Sequence, residues 1–309
     1  MSSPTFSVVM AAYDSAATIA ESIESVRGQT RSDWELIVID DGSRDSTAEV
    51  GESFDDPRIR VVRETDNRGP SAARNQGISL AQAPLVCTLD SDDLMLPQYL
   101  ETMASTLDNA PEASVAFTDA WVLDDVSGRV RKSSAMDSAK PPEPVPTDTR
   151  TFLVELLRRN FIFNSVAARR ESLLAVGGYD ERLWIDEDWE LWLRLAAAGF
   201  RFVRVPGLLT VYRKHGDSLT SDSRRLIAAE REVYRIVAKE WPADSGVQAL
   251  ALDLMLRSEL RARRRASAFR LLRPLFTLWR KLREPLLWHA RPPREVANLL
   301  RAVASAREG

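Results

Sequence analysis

The chain has 309 residues, 44% hydrophobic and 28% charged, with one cysteine and a formal net charge of −3. Such a chain can bury one large core or two, and its composition excludes a disulfide scaffold, a cysteine-rich metal module and a basic nucleic-acid binder. No apolar run reaches the length of a membrane span, and the opening MSSPTFSVVMAAYDS lacks the regions of a signal peptide, so a cytoplasmic protein is expected.

Residues 6–12 (FSVVMAA) form a short apolar run of strand type. Thr18 and Glu21 have capping-box spacing, and Ile19, Ile23 and Val26 then repeat on one helix face. Residues 34–39 (WELIVI) read as a second strand, followed by an Asp41-Gly42 turn and a second capping box from Ser46 to Glu49. Residues 59–62 make a third strand, 69–80 (GPSAARNQGISL) a loop opening a helix, and 85–89 a fourth strand. Cys87 lies inside that last run and reads as a small core residue. Strand–helix alternation predicts an α/β protein with a parallel sheet and right-handed crossovers, which binds ligands outside the carboxyl ends of its strands. Three polar clusters fall there: Tyr13-Asp14, Asp40-Asp41-Gly42-Ser43 and Asp90-Ser91-Asp92-Asp93.

Beyond Pro97 the pattern loosens. Residues 115–117, 120–123, 202–205 and 208–212 suggest further strands, 137–148 a proline-rich surface loop, and 152–159 and 187–198 helices. From 226 onward the chain reads as helical.

Three carboxylates in four positions at a strand end repel one another unless water or a cation takes them. Asp90 and Asp92, two apart on a chain leaving a strand, can project to one side and suit a hard cation, Mg2+ or Mn2+. A D-x-D alone is a common pair of surface acids, and an Asp-Gly alone a common turn. What recommends these is their placement together at strand ends. Neither G-x-G-x-x-G nor G-x-x-x-x-G-K-[ST] is present, so a phosphate would depend on a metal and on single Arg or Lys side chains.

The motifs FSVVMAAYDSAATIAESIESVRGQT, ELIVIDDGSRDST, NRGPSAARNQGI, LDSDD and GGYDERLWIDEDWELWLRLAAAG, in this order over about residues 5 to 220, closely resemble the family 2 glycosyltransferases. The resemblance implies a GT-A type nucleotide-binding fold, a mainly parallel central sheet flanked by helices, and inverting transfer of a sugar from a nucleotide donor, with UDP favoured. It implies nucleotide-binding roles for Ala11, Tyr13, Asp14, Asp41, Arg74, Asp90 and Ser91, with Tyr13 at the base, Asp41 on the ring edge, and Arg74 and Asn75 in an A-R-N element. It implies a divalent metal held by Asp92, Asp90 and His215, and Asp188 as the catalytic base. Alone, Asp188 is a helix-start acid in a row with Asp186 and Glu187, where the helix dipole favours its ionised form and lowers its basicity. Absence of Q-x-x-R-W and of membrane spans, which processive relatives carry, implies one sugar added per encounter to a glycan or lipid-linked acceptor. Acceptor recognition is expected in residues 120–185. A catalytically silent nucleotide-binding scaffold and a nucleotidyltransferase are the rival readings. The intact Asp41, Asp92 and Asp188 speak against the first, and AAYDSAAT in place of a Gly-rich basic loop against the second.

The expected domains are a catalytic unit, 1–222, with a nucleotide half to about 95 and an acceptor half after it, and a basic helical extension, 223–309. Residues 257–309 hold fourteen Lys and Arg against four Asp and Glu, a net of +10, which leaves −13 for the rest. The mix of Arg with Phe269, Leu272, Leu275, Phe276, Trp279 and Leu282 suits an anionic membrane surface, or packing on the body or on a second subunit of a homo-oligomer.

Overall fold

β1 (Phe6–Ala12), β2 (Trp34–Asp40) and β4 (Leu85–Asp90) are buried along almost their whole length, which is why they read as unbroken apolar runs. With β3 (Ile59–Arg63) they form the parallel half of a nine-stranded sheet of order β3-β2-β1-β4-β8-β6-β9-β5. The described residues of this computed structural model are 3–131, 134–162, 165–215, 222–241, 244, 246–260 and 292–305. β8 (Val166–Arg169) runs antiparallel to both β4 and β6 (Ala113–Asp124), so the second half of the sheet is mixed. β6 lies parallel to β9 (Arg201–Lys214), β7 (Arg129–Val130) pairs with β6, and β5 (Leu94–Met95) pairs with β9.

The pairs of short strands expected at 115–123 and 202–212 are each one long strand. Their ladder shifts register around Phe117 and Asp119. Pro206 and Gly207, the latter at φ 105°, break the apolar pattern opposite this shift, and the Thr118 hydroxyl donates to the Gly207 carbonyl at 2.9 Å. The irregularity that hides the strand in the sequence is a bulge in the structure.

Helices cover both faces. Val8, Met10 and Leu36 point to the layer of α1 (Ile19–Arg27) and α4 (Tyr99–Asn109), where Ile23, Tyr99 and Met103 are buried. Val9, Ile37 and Ile39 point to the opposite layer, built from α3 (Pro70–Leu80), α5 (Thr149–Arg158), α7 (Glu187–Ala197) and α8 (Ser223–Lys239). Gly77 lets α3 approach β1 closely, since a β-carbon there would collide with the Val9 side chain. α2 (Thr47–Glu52) and α6 (Arg170–Ala175) are short connectors.

α1 and α2 begin where the sequence placed them, but neither forms a capping box, because Thr18 and Ser46 make no side-chain cap bond. Glu49 pairs instead with Arg63, and Glu21 is buried in an ion pair with Arg213. Residues 246–260 form α9, and α10 (Arg294–Ser305) returns to the sheet. Val296, Leu299 and Val303 of α10 pack on Leu94, Leu96, Leu123, Val130 and Val211. The end of the basic extension is therefore part of the folded body, while the Arg-rich stretch 261–291 lies outside the described residues.

Candidate active site

The carboxyl ends of β2, β1 and β4 lie side by side, and the loops that leave them are tied together. In the sheet Ala11 stands between Ile39 and Asp90. The Ser91 hydroxyl donates to Ser15 Oγ at 2.8 Å, and the Ser22 hydroxyl to the Ser91 carbonyl at 2.9 Å. Asp14, at φ 47°, donates its N–H to Ser43 Oγ at 2.9 Å and accepts from the Arg44 N–H and guanidinium at 2.8 and 2.9 Å. Those bonds hold the Asp14 carboxyl below its ordinary range. Arg44 also lies over the Tyr13 ring, 5.6 Å from its centroid, leaving Tyr13 partly open at the rim. The three polar clusters are one surface.

Asp41 is buried, and its two carboxylate oxygens accept from the backbone N–H groups of Arg68 at 3.0 Å and Gly69 at 2.7 Å. It orders the loop that opens α3, and a base edge would have to use its remaining lone pairs. Gly69 has φ 93°, and a β-carbon there would strike the Trp184 indole, so the ring lies directly against the glycine. Trp184 and Tyr13 are the aromatic residues among the exposed large hydrophobic ones described, and Trp184 stands on the loop that leads into α7. Sequence reading did not single it out, although a tryptophan three positions before the Glu187-Asp188 pair was the available signal.

Arg74 is the keystone. Its buried guanidinium meets Asp90 Oδ1 through Nη2 and Glu187 Oε1 through Nη1, each at 2.6 Å. Burial alone would lower its proton affinity, but these two carboxylates hold it well above its ordinary value. Removing one partner of a buried ion pair costs about 3–5 kcal/mol, because the survivors are left uncompensated. Arg74 thus fastens the end of β4 to the start of α7 and sets Asp188 relative to the acids. In the sequence Glu187 reads only as a neighbour of Asp188; its partner is 113 residues away in the chain, so no local pattern announces it. Asn75, the third residue of A-R-N, accepts from the Tyr179 N–H at 2.7 Å and donates to the Tyr179 carbonyl at 2.9 Å. It clamps the 177–181 loop to α3.

At Asp188 the electrostatics run opposite to the expectation from the helix dipole. Burial first, then Glu187 and Asp186, push its carboxyl well above the usual range, against the Trp189 N–H bonded at 2.6 Å. Asp186, at φ 60°, is pushed to about 7 by burial, Glu187 and Glu230. Three acids in a row, desolvated together, make Asp188 a stronger base than an exposed carboxylate.

Asp90, Asp92 and Asp93 bring ligand oxygens within 4.8 Å of one another. His215, just past β9, places Nε2 2.7 Å from Asp92 Oδ2. Carboxylate oxygens with one imidazole nitrogen form a donor set that fits Mg2+ or, with the histidine, Mn2+. Asp92 and His215 are partly exposed, whereas Asp93 is buried, and one Asp90 oxygen is taken by Arg74. Cys87 is buried in β4, where desolvation pushes its thiol up to about 12, so it is inert.

Residues 7–176 match the family model "Glycosyl transferase family 2". The chain is 31% identical over 274 residues to "Succinoglycan biosynthesis protein ExoU" of Rhizobium meliloti (strain 1021), covering 82% of this chain and 76% of that protein. To "Putative glycosyltransferase EpsE" of Bacillus subtilis (strain 168) it is 29% identical over 222 residues, 70% of this chain and 76% of that one. Among solved structures, S. aureus TarS 1-349 in complex with UDP-GlcNAc superposes with a TM-score of 0.64 at 19% identity, covering 86% of this chain and 75% of that one. Mannosyltransferase PcManGT from Pyrobaculum calidifontis, in complex with GDP-Man and Mn2+, gives a TM-score of 0.60 at 16% identity over 99% and 86%. At such identities the structural likeness is one of fold, and the fold is GT-A.

Proposed function

The chain belongs to glycosyl transferase family 2 and is a glycosyltransferase, and on that premise we propose that it moves one sugar at a time, with inversion, from a nucleoside diphosphate donor to an acceptor hydroxyl. The observation that carries this reading is the Asp90–Arg74–Glu187 bridge, which joins the acidic strand end to the helix that begins with Asp188. The nucleoside would lie along Ala11, Tyr13, Asp14 and Asp41, and the diphosphate beside Asp90, Ser91, Asp92 and His215. The acceptor oxygen bonds to the anomeric carbon, the bond from that carbon to the diphosphate breaks, and the acceptor proton passes to Asp188. A divalent cation held by Asp92, Asp90 and His215 would stabilise the negative charge of the leaving diphosphate. One base on the face opposite the leaving group suits a single in-line displacement, hence inversion.

A UDP-sugar is the favoured donor, in keeping with the UDP-GlcNAc complex of TarS. A polysaccharide or its lipid-linked precursor is the favoured acceptor, in keeping with the succinoglycan biosynthesis relative. A screen of nucleotide sugars by thermal unfolding tests the donor class. At a hundredfold over its Kd a true donor stabilises by about 2.7 kcal/mol, which raises the melting temperature by several degrees. One sugar nucleotide should do so, and only with Mg2+ or Mn2+ present; a flat response across the panel rejects a nucleotide-sugar donor, whereas a shift without turnover supports the silent nucleotide-binding scaffold.

A lipid-linked acceptor would place this chemistry at a membrane. No helix among the described residues is long and apolar enough to cross one. Leu252, Leu256 and Leu260 stand exposed on one face of α9, the helix that leads toward the basic stretch 261–291. Each Lys or Arg at an anionic surface adds about 1 kcal/mol. The full chain should therefore sediment with phosphatidylglycerol vesicles at low salt and be released at high salt. Indifference to those vesicles rejects peripheral attachment.

A further inference from the structure

The last acid of the Asp90–Asp93 cluster does something different from the first two. Asp93 is buried, and its N–H donates to the Asp90 carbonyl at 3.1 Å, closing the turn that leaves Asp92 at the tip. Its carboxylate Oδ1 accepts from the backbone N–H of Arg213 at 2.9 Å. The next residue, Leu94, opens β5 and pairs with Val211 of β9. A side-chain acceptor thus extends the β5–β9 ladder where the turn has carried the backbone away. Arg213 is held from its other end as well, by Glu21 of α1 and by Asp125 at 3.1 Å, and is almost wholly buried. Two residues further on, His215 reaches Asp92.

We infer that Asp93 is a positioning residue: it fastens the end of β9 to the acidic turn so that His215 meets Asp92, and is not itself a ligand of the cation. A carboxylate that served as a ligand would have to face the partly exposed side of the cluster with Asp92 and His215, whereas Asp93 is buried and its Oδ1 is held by a backbone N–H inside the fold. Groups that orient ligands without touching the metal change affinity by about 10–100-fold when removed. The inference rests on the cation site proposed above only in its affinity arm.

Asp93→Asn separates strut from ligand, because asparagine keeps the Oδ1 acceptor for the Arg213 N–H but loses the carboxylate charge. Mn2+ affinity is measured calorimetrically with UDP present, in wild type, Asp93→Asn, Asp93→Ala and Asp92→Asn. A strut predicts Asp93→Asn within about threefold of wild type and Asp93→Ala weaker by about tenfold or more. A loss in Asp93→Asn equal to that in Asp92→Asn makes Asp93 a ligand and overturns the inference, as does wild-type affinity in Asp93→Ala. A second readout needs no metal: the ring signals of His215, one of two histidines in the chain, identified through a His215→Gln spectrum. They should move in Asp93→Ala and stay in place in Asp93→Asn. If wild type binds no Mn2+, the cation site fails, and these signals alone decide the strut. Unchanged His215 signals in Asp93→Ala reject it, and should that variant not fold, shifted His215 signals in Asp93→Asn do so.

Discussion

Replacing Asp188 by Asn should lower turnover by about a hundredfold or more and leave donor affinity nearly unchanged. The substitution keeps the shape and the Oδ1 that accepts the Trp189 N–H, but removes the site proposed to take the acceptor proton. Burial and the neighbouring Glu187 and Asp186 raise the Asp188 carboxyl, so the wild-type enzyme should show a pH limb. The sign is fixed by the role. Below its raised pKa the carboxyl holds a proton and cannot act as base, so turnover climbs as pH rises through that value. The Asn variant should lack this limb. Steady-state rates against pH for both proteins check it, and near-normal turnover in Asp188→Asn passes the role to Glu187 or Asp186.

The parallel half of the sheet and most of the polar mouth were legible in the sequence for one physical reason. Strands buried on both faces are continuous apolar runs, and residues just beyond them must turn into solvent, so strand ends and polar clusters mark each other. Other features were hidden because their causes are not local. Arg74 finds Glu187 across most of the domain, and Glu21 finds Arg213 across 192 positions, so a capping-box spacing at Thr18 misnamed a buried ion-pair partner. The backbone N–H groups that Asp41 accepts, from Arg68 and Gly69, lie 27 and 28 positions further on, so its part in ordering the α3 loop was not readable locally either. The basicity of Asp188 was misjudged because the dipole of α7 is readable from sequence, whereas burial and the repulsion of the neighbouring Glu187 and Asp186 are not. β6 and β9 were each read as two strands because a bulge interrupts the alternation that identifies a strand.

Asp92→Asn should remove the metal-dependent part of nucleotide binding while the fold stays intact. Asp92 is half-open, it meets His215, and it caps a turn whose backbone bond belongs to Asp93, so the fold does not lean on its charge. Among the described residues there is no glycine-rich phosphate loop to take over the diphosphate. A tenfold loss of affinity corresponds to about 1.4 kcal/mol, and at least that is expected from losing a charged ligand.

The most direct measurement is a calorimetric titration of UDP into the wild-type protein, once with Mn2+ and once with a chelator. Metal-assisted transfer at this site predicts clear binding with Mn2+, weak or no binding with the chelator, and no difference between the two conditions in Asp92→Asn. Equal UDP affinity of the wild type in both conditions would contradict it.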